Sequence, residues 1–198
     1  PPQNYHGSLN SYFADLDLKK NNFFTDISNY ISYEMGQPTH CYDAKKIKGG
    51  IVLDEIEKTE KFKTLFNEDI EISGKNAVFI SNNEIINLAG VMGGYSTACD
   101  KNTNEVIVEC AYFNPADIIG KSIKYGINSD AAYKFERHVD PDAQESVLRR
   151  FIQLTKEHCN IKKIEILKEE FVKLKKTKVP YDLIKINQIL GTNLSDNN

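Results

Sequence analysis

Apolar residues recur at helical spacing early in the chain, where Ile27, Tyr30, Ile31 and Met35 fall on one face. Thr25 or Asp26 is expected to cap this helix, since a short side-chain oxygen accepts from a free amide of the first turn. Gly36 and Pro38 are expected to end it. From Gly49 to Leu88 the pattern changes to short β-type runs, GIVLD, AVFIS and EIINL, punctuated by Gly, Asn and Asp. Asn82-Asn83 between two apolar runs predicts a hairpin turn. VIVECA at Val106–Ala111 reads as another strand, apolar on both faces apart from Glu109. Pro115 is placed to open a short helix through Ile118 and Ile119. After Pro141, the spacing of Val147, Phe151, Leu154 and His158 predicts a long helix, IEILKEEF at 164–171 a strand, and Tyr181–Leu190 a short helix closed by Gly191. Residues 1–24 are polar, with Asn and Tyr interspersed, and read as an irregular lead-in. Strands in the middle with helices at both ends predict an α+β domain. No internal repeat or low-complexity tract is visible.

Length and composition narrow the class. At 198 residues the chain holds one good-sized core, or one domain and part of another. Apolar content of 40% and charged content of 27% describe an ordinary globular chain rather than a disordered one. No apolar run approaches the ~20 residues that a membrane helix requires. The four cysteines, Cys41, Cys99, Cys110 and Cys159, form no Cys-x-x-Cys pair, which argues against zinc. Two of them lie in apolar segments, where a reduced cysteine packs as a small hydrophobe, so a reducing, cytoplasmic compartment is expected. Net charge is −3, so no phosphate-tracking surface is predicted. The lysines at Lys45–Lys48 and Lys173–Lys178 read first as solvated faces.

A few positions could carry chemistry. Glu109 is a carboxylate inside an apolar strand, costly to bury unless paired or hydrogen-bonded. Alternation puts it on the face of Ile107 and Ala111, opposite Val106, Val108 and Cys110. It is either a strand end or a structural partner of Arg137, or else a polar anchor in a pocket able to bind a substrate hydroxyl. His40 follows Gln37-Pro38-Thr39, and Pro38 fixes the backbone, so the imidazole is aimed. It is either structural or able to move a proton or place a water. Leu88–Gly94, LAGVMGG, has three glycines in seven residues: a tight turn, or a backbone that a ligand approaches closely. Ser28 and Asn29 bring a hydroxyl and an amide to the side of the following loop. Ser129 and Ala131 flank Asp130, which reads as a helix N-cap, and Ala131 is small enough to line a pocket wall. No Ser-His-Asp arrangement and no metal-ligand cluster can be read from the spacing.

Four ordered blocks, GQPTHCYD, LAGVMGG, VECAYFNP and SDAAYKFERHVDP, resemble the central editing module of bacterial phenylalanyl-tRNA synthetase beta subunits. The resemblance runs from about Asn22 to Asn160, and after Val179, VPYDLIKINQILG looks like the start of the next module. It implies three parts: 1–24, a lead-in from a preceding module; 25–178, the editing, tRNA-binding domain; and 179–198, a truncated next module. It implies a layered, β-sandwich-like core with flanking helices, whose pocket takes the 3′ end of phenylalanine tRNA and hydrolyses wrongly attached tyrosine. On this resemblance His40 helps place the water and is the catalytic residue. Glu109 senses the tyrosine hydroxyl, and Ser28, Asn29, Gly93, Ser129 and Ala131 complete the substrate site. No metal or cofactor is implied for this module, whereas ATP and magnesium are implied for the full synthetase. Its partners would be the tRNA and the alpha subunit, in a heterotetramer of two alpha and two beta chains. Serine at 28 and 129 replaces the family's common threonine, and His138 stands where glycine is usual, so a positive φ there would strain it. Two alternatives remain: a non-catalytic structural or tRNA-docking module of the same subunit, or a free-standing module acting in trans.

Overall fold

The computed structural model describes residues 1–170 and 177–195. It divides into two compact units, Pro1–Ile164 and Glu165–Asn198. The first unit opens with helix α1 (Gly7–Asp15), where an irregular lead-in was expected. Leu9 and Phe13 of α1 are buried, and each apolar side chain so buried contributes roughly 1.5–3 kcal/mol. They join the core formed with α2 (Phe23–Met35) and α6 (Gln144–His158), so this segment belongs to the packed unit.

Helix α2 begins one turn earlier than its predicted caps. Asn22, not Thr25 or Asp26, is the N-cap, and its side chain accepts from the Thr25 amide at 3.1 Å. Asp26 is instead buried and accepts from the Tyr5 hydroxyl at 2.6 Å and from the Asn21 amide. Ile27, Tyr30 and Ile31 are buried as the spacing predicted, whereas Met35 is exposed at the last turn. Gly36 closes the helix at φ 70°, the left-handed conformation that glycine takes without a Cβ penalty. An ion pair at 2.7 Å between Arg150 and Glu34 ties α6 to α2.

The β part is three small antiparallel sheets. Strand β1 (His40–Asp43) pairs with β8 (Val106–Glu109), with His40 opposite Glu109 and Tyr42 opposite Ile107. A four-stranded sheet runs in the order β2 (Val52–Glu57), β5 (Lys75–Ser81), β6 (Glu84–Leu88), β7 (Met92–Gly93). The third is the hairpin β3 (Glu60–Lys63) and β4 (Asp69–Ile72). Asn82 and Asn83 both have positive φ, 49° and 64°, as expected of the tight turn between β5 and β6.

Phe62 and Ile72 of the β3–β4 hairpin and Val78 and Leu88 of the four-stranded sheet enclose one core with Phe113, Ile118 of α3 (Pro115–Ile118) and Phe135 of α5 (Asp130–Phe135). Helix α4 (Lys121–Tyr125) lies between α3 and α5 in the chain. The other core is helical and lies behind the β1–β8 ladder, receiving Cys41, Val106, Val108 and Cys110 from its rear face. The ladder therefore divides two cores, and its front face carries His40, Tyr42 and Glu109. The fold is layered and α+β, as expected.

The strand expected at 164–171 is absent over residues 164–170, and Phe171 lies outside the described residues. Polarity alternates only over Ile164-Glu165-Ile166, and Ile166 and Leu167 are exposed. In the second unit, Asp182 caps α7 (Leu183–Leu190) and Gly191 ends it, close to the predicted bounds. Among the described residues no helix is long and apolar enough to cross a membrane.

His138 has φ 67°, so the strain expected there is present. A left-handed residue bearing a Cβ costs about 1–2 kcal/mol, and glycine loses more chain entropy on folding, about 0.4–1 kcal/mol. The first effect outweighs the second. His138→Gly is expected to raise the unfolding free energy by about 0.5–1 kcal/mol in urea titration; an unchanged or lower value contradicts the strain.

Candidate functional site

In front of the β1–β8 ladder lies a cavity of about 360 Å³. Segments far apart in sequence line it: Asn29 of α2, Pro38 to His40, Leu65 and Phe66 from the β3–β4 turn, Asn87, Gly90 to Gly93, Glu109, and residues 128–131 at the start of α5. Such a volume suits a small ligand group rather than a bulk chain. The β3–β4 turn docks through the Leu65 amide, which donates to the Gly93 carbonyl at 3.0 Å.

Six of the seven residues singled out from the sequence line this cavity: Asn29, His40, Gly93, Glu109, Ser129 and Ala131. Ser28 stands behind the wall. Its hydroxyl donates to the Thr39 carbonyl at 2.6 Å and lies 2.7 Å from the Thr39 hydroxyl, so it fixes a residue that does line the cavity. Ser129, rather than Asp130, is the N-cap of α5: Oγ accepts from the Ala132 amide at 3.1 Å and donates to the Val91 carbonyl at 2.6 Å. One hydroxyl thus pins the helix start to the glycine-rich loop.

That loop makes the turn read for it, and its second glycine leaves room for a side chain. Gly90, at φ 69°, forms the turn. Gly93 makes room for the imidazole, because a Cβ there would sit 2.2 Å from His40 Cε1 and 2.9 Å from Leu65 Cδ1. His40 is held against this backbone, with its ring 4.5 Å from Tyr42 in an edge-on arrangement. Its Nε2 is buried and has no hydrogen-bond partner. Burial alone lowers its pKa from 6.5 to about 4, so the ring is neutral at pH 7.

Glu109 does not pair with Arg137. The Arg137 guanidinium is bound to Glu136 and lies over the Tyr133 ring at 3.7 Å. Glu109 Oε2 instead accepts from the Tyr42 hydroxyl at 2.7 Å and from Asn87 Nδ2 at 3.3 Å. Asn87 Nδ2 also donates to the Tyr42 oxygen at 2.8 Å. Oε1 bonds to none of the described side chains. Burial raises the Glu109 pKa from 4.5 to about 7, against the lowering effect of the Tyr42 bond. The carboxyl is therefore half protonated near neutrality and can accept or donate a hydrogen bond.

Tyr42 and Asn87 were not singled out from the sequence. The signals were present: Tyr42 is two residues from His40 and so shares its strand face, and Asn87 is an amide inside the apolar run EIINL. Burial pushes the thiols on the rear of the ladder up, Cys99 and Cys110 to about 12, so they offer no thiolate at neutral pH. Among the described residues no group of three or more His, Cys, Asp or Glu could hold a metal ion.

Folding should report these two ionisations with opposite signs. Glu109 titrates near 4.5 unfolded and near 7 folded, so its contribution is full below pH 4.5 and lost as pH rises through 7. His40 titrates near 6.5 unfolded and near 4 folded, so its contribution is full above pH 6.5 and lost as pH falls through 4. Between pH 4.5 and 6.5 the slopes oppose each other. Glu109→Gln leaves the His40 slope uncompensated, and the unfolding free energy of that variant should gain up to about 1.4 kcal/mol per pH unit relative to wild type over this window. Parallel curves for the two proteins in denaturant titrations at several pH values would contradict these environments. Gly93→Ala is expected to destabilise by about 1–3 kcal/mol, measured the same way, because His40 must leave its place; tolerance of the substitution would mean the ring is not confined there.

Residues 8–160 match the family of the B3/4 domain. The chain is similar to the phenylalanine–tRNA ligase beta subunit of Vibrio parahaemolyticus, 34% identical over 173 residues, covering 86% of this chain and 22% of the relative. It is 34% identical to the beta subunit of Dickeya dadantii over 68% of this chain and 17% of the relative. With that of Fusobacterium nucleatum it is 31% identical over 94% and 24%. The chain thus spans about a quarter or less of the length of these relatives.

Proposed function

We propose, from the premise that this chain belongs to the B3/4 domain family, that it is the editing module of a phenylalanine–tRNA ligase beta subunit and hydrolyses tyrosine wrongly esterified to phenylalanine tRNA. The observation that carries this reading is Glu109: a half-buried carboxyl with one oxygen satisfied by the protein and the other left for the cavity, across one strand pair from an unpartnered imidazole nitrogen.

The chemistry follows from the two groups. A tyrosyl side chain in the cavity presents a hydroxyl to Glu109 Oε1, which accepts its proton or donates to its oxygen. A phenylalanyl ring would leave that oxygen buried without a partner, and sites built to bond a hydroxyl reject the analogue lacking it by large factors. Water attacks the ester carbonyl, and the bond to the ribose oxygen breaks as that oxygen takes a proton. With a pKa near 4, His40 is a weak base at pH 7. Its role in this reading is to help position the water at the cavity wall, since the ester is already activated and positioning supplies much of the rate.

Asn29, Thr39 and the 128–131 segment edge the cavity, where they would meet the 3′-terminal nucleotide. Ser28 supports Thr39, and Ser129 and Ala131 form one wall. The tRNA, the alpha subunit, the two-alpha, two-beta assembly and a cytoplasmic setting follow from the same reading. ATP and magnesium would serve the synthetic reaction of the whole enzyme, and no residue of this chain is assigned to them.

Deacylation of tyrosyl-tRNA for phenylalanine, measured with the full subunit assembled with its alpha partner, tests this. Glu109→Ala is expected to abolish the preference for the tyrosyl over the phenylalanyl ester. His40→Ala is expected to lower kcat about 10²-fold while leaving that preference. With Glu109, which titrates near 7, replaced in Glu109→Gln, the remaining rate should show no inflection near pH 6.5, because His40 does not ionise there. Wild-type behaviour in both variants defeats the site assignment; a wild-type enzyme that does not deacylate leaves a tRNA-docking module.

A further inference from the structure

We propose that Tyr42 is a positioning residue of this site: with Asn87 it fixes the Glu109 carboxyl so that a single oxygen, Oε1, meets the hydroxyl of the bound aminoacyl group. The proposal rests on the editing reading for its substrate, and on the hydrogen bonds of the fold for its geometry.

The chain of bonds has a direction. Asn87 Nδ2 lies 2.8 Å from the Tyr42 oxygen and 3.3 Å from Glu109 Oε2. An amide oxygen in that place would face a carboxylate oxygen, so the nitrogen assignment is the one the electrostatics favour. Because an amide nitrogen only donates, the Tyr42 oxygen accepts there. Its own proton is then directed to Oε2, at 2.7 Å. The hydroxyl cannot reverse without placing two donors against each other.

The carboxyl is thereby made asymmetric. Oε2 receives two donors, one short, and is a poor place for a proton. When Glu109 is ionised, Oε1 accepts from the substrate hydroxyl. When it is protonated, the proton resides on Oε1 and is donated to that hydroxyl. Tyrosine is held in both states, and the carboxyl does not rotate between two equivalent faces. Tyr42 reaches Glu109 across the ladder because the two occupy the same face, Glu109 being paired with His40 and Tyr42 standing two residues on. Tyr42 is wholly buried, packed against His40 and against Phe79 at 6.5 Å, so its ring has little freedom.

Tyr42→Phe keeps the ring and deletes only the donor. The first readout is the titration of the Glu109 side-chain carbon by NMR in this chain, assigned by its loss in Glu109→Gln. The midpoint is expected near 7 in wild type and higher in Tyr42→Phe, because the deleted bond favours the charged form. The second readout is deacylation by the assembled enzyme. KM for the tyrosyl ester is expected to rise roughly tenfold with kcat little changed, as for loss of one hydrogen bond made equally in ground and transition states. The phenylalanyl ester should be unaffected, so selectivity falls by the same factor. A purely structural role would instead lower kcat for both esters and leave the midpoint in place, and that result overturns the proposal. Asn87→Ala, which frees the Tyr42 hydroxyl to turn away, should move the midpoint in the same direction and guards against a misfolded Tyr42 variant. Should wild type fail to deacylate while the midpoint still moves, the editing reading falls and the positioning of Glu109 stands. A midpoint unmoved in both variants refutes the positioning whatever the enzyme does.

Discussion

The cavity depends on one antiparallel pairing, His40 of β1 opposite Glu109 of β8. That pairing sets a half-buried imidazole and a half-buried carboxyl side by side in front of a ladder whose rear is closed by apolar packing. Among the described residues neither group has a salt-bridge partner. Burial without a counter-charge favours the neutral form of each, so the imidazole is driven down to about 4 and the carboxyl up to about 7. The two shifts have one cause. The result is a cavity in which the imidazole is neutral at pH 7 and the carboxyl is held between its charged and neutral forms, with one nitrogen and one oxygen left unpaired by the protein.

The rest of the fold holds that pairing in place. The helical core of α1, α2 and α6 presses on the back of the ladder, and the sheet core supports the front walls. Between them, small contacts set positions that bulk burial cannot. Gly93 leaves space for the His40 ring, the Leu65 amide clips the β3–β4 turn to Gly93, and the Ser129 hydroxyl joins the glycine-rich loop to α5. Ser28 supports the wall from behind through Thr39. Ser28 therefore acts on the backing of the cavity rather than on its surface.

Much of the helical framework was legible because periodicity and end signals agreed: Gly36 ends α2, the Val147, Phe151 and Leu154 stripe makes α6, and Gly191 ends α7. The paired asparagines gave the β5–β6 turn. The hairpin β3–β4 was missed, since EKFK and DIEI are four residues each and mostly charged, and only Phe62 and Ile72 are buried. Helix α1 was missed because its apolar content is Leu9 and Phe13 in a polar segment, which becomes informative only once α2 supplies a surface to cover. The strand expected at 164–171 is absent over residues 164–170: polarity alternates at its start, but Ile166 and Leu167 are exposed. At the site, Glu109 was found by asking what a carboxylate does in an apolar strand. The same question put to Asn87 would have found the amide that directs the Tyr42 hydroxyl.

The most direct test of the account is binding of two non-hydrolysable ligands to this chain, tyrosine and phenylalanine each joined by an amide to the 3′ position of adenosine, while the Glu109 carboxyl is observed by NMR. The account predicts that the tyrosyl ligand binds at least tenfold more tightly and shifts the Glu109 signal. Equal affinities for the two ligands, with the Glu109 signal unmoved by either, would contradict a cavity that selects a hydroxyl through this carboxyl.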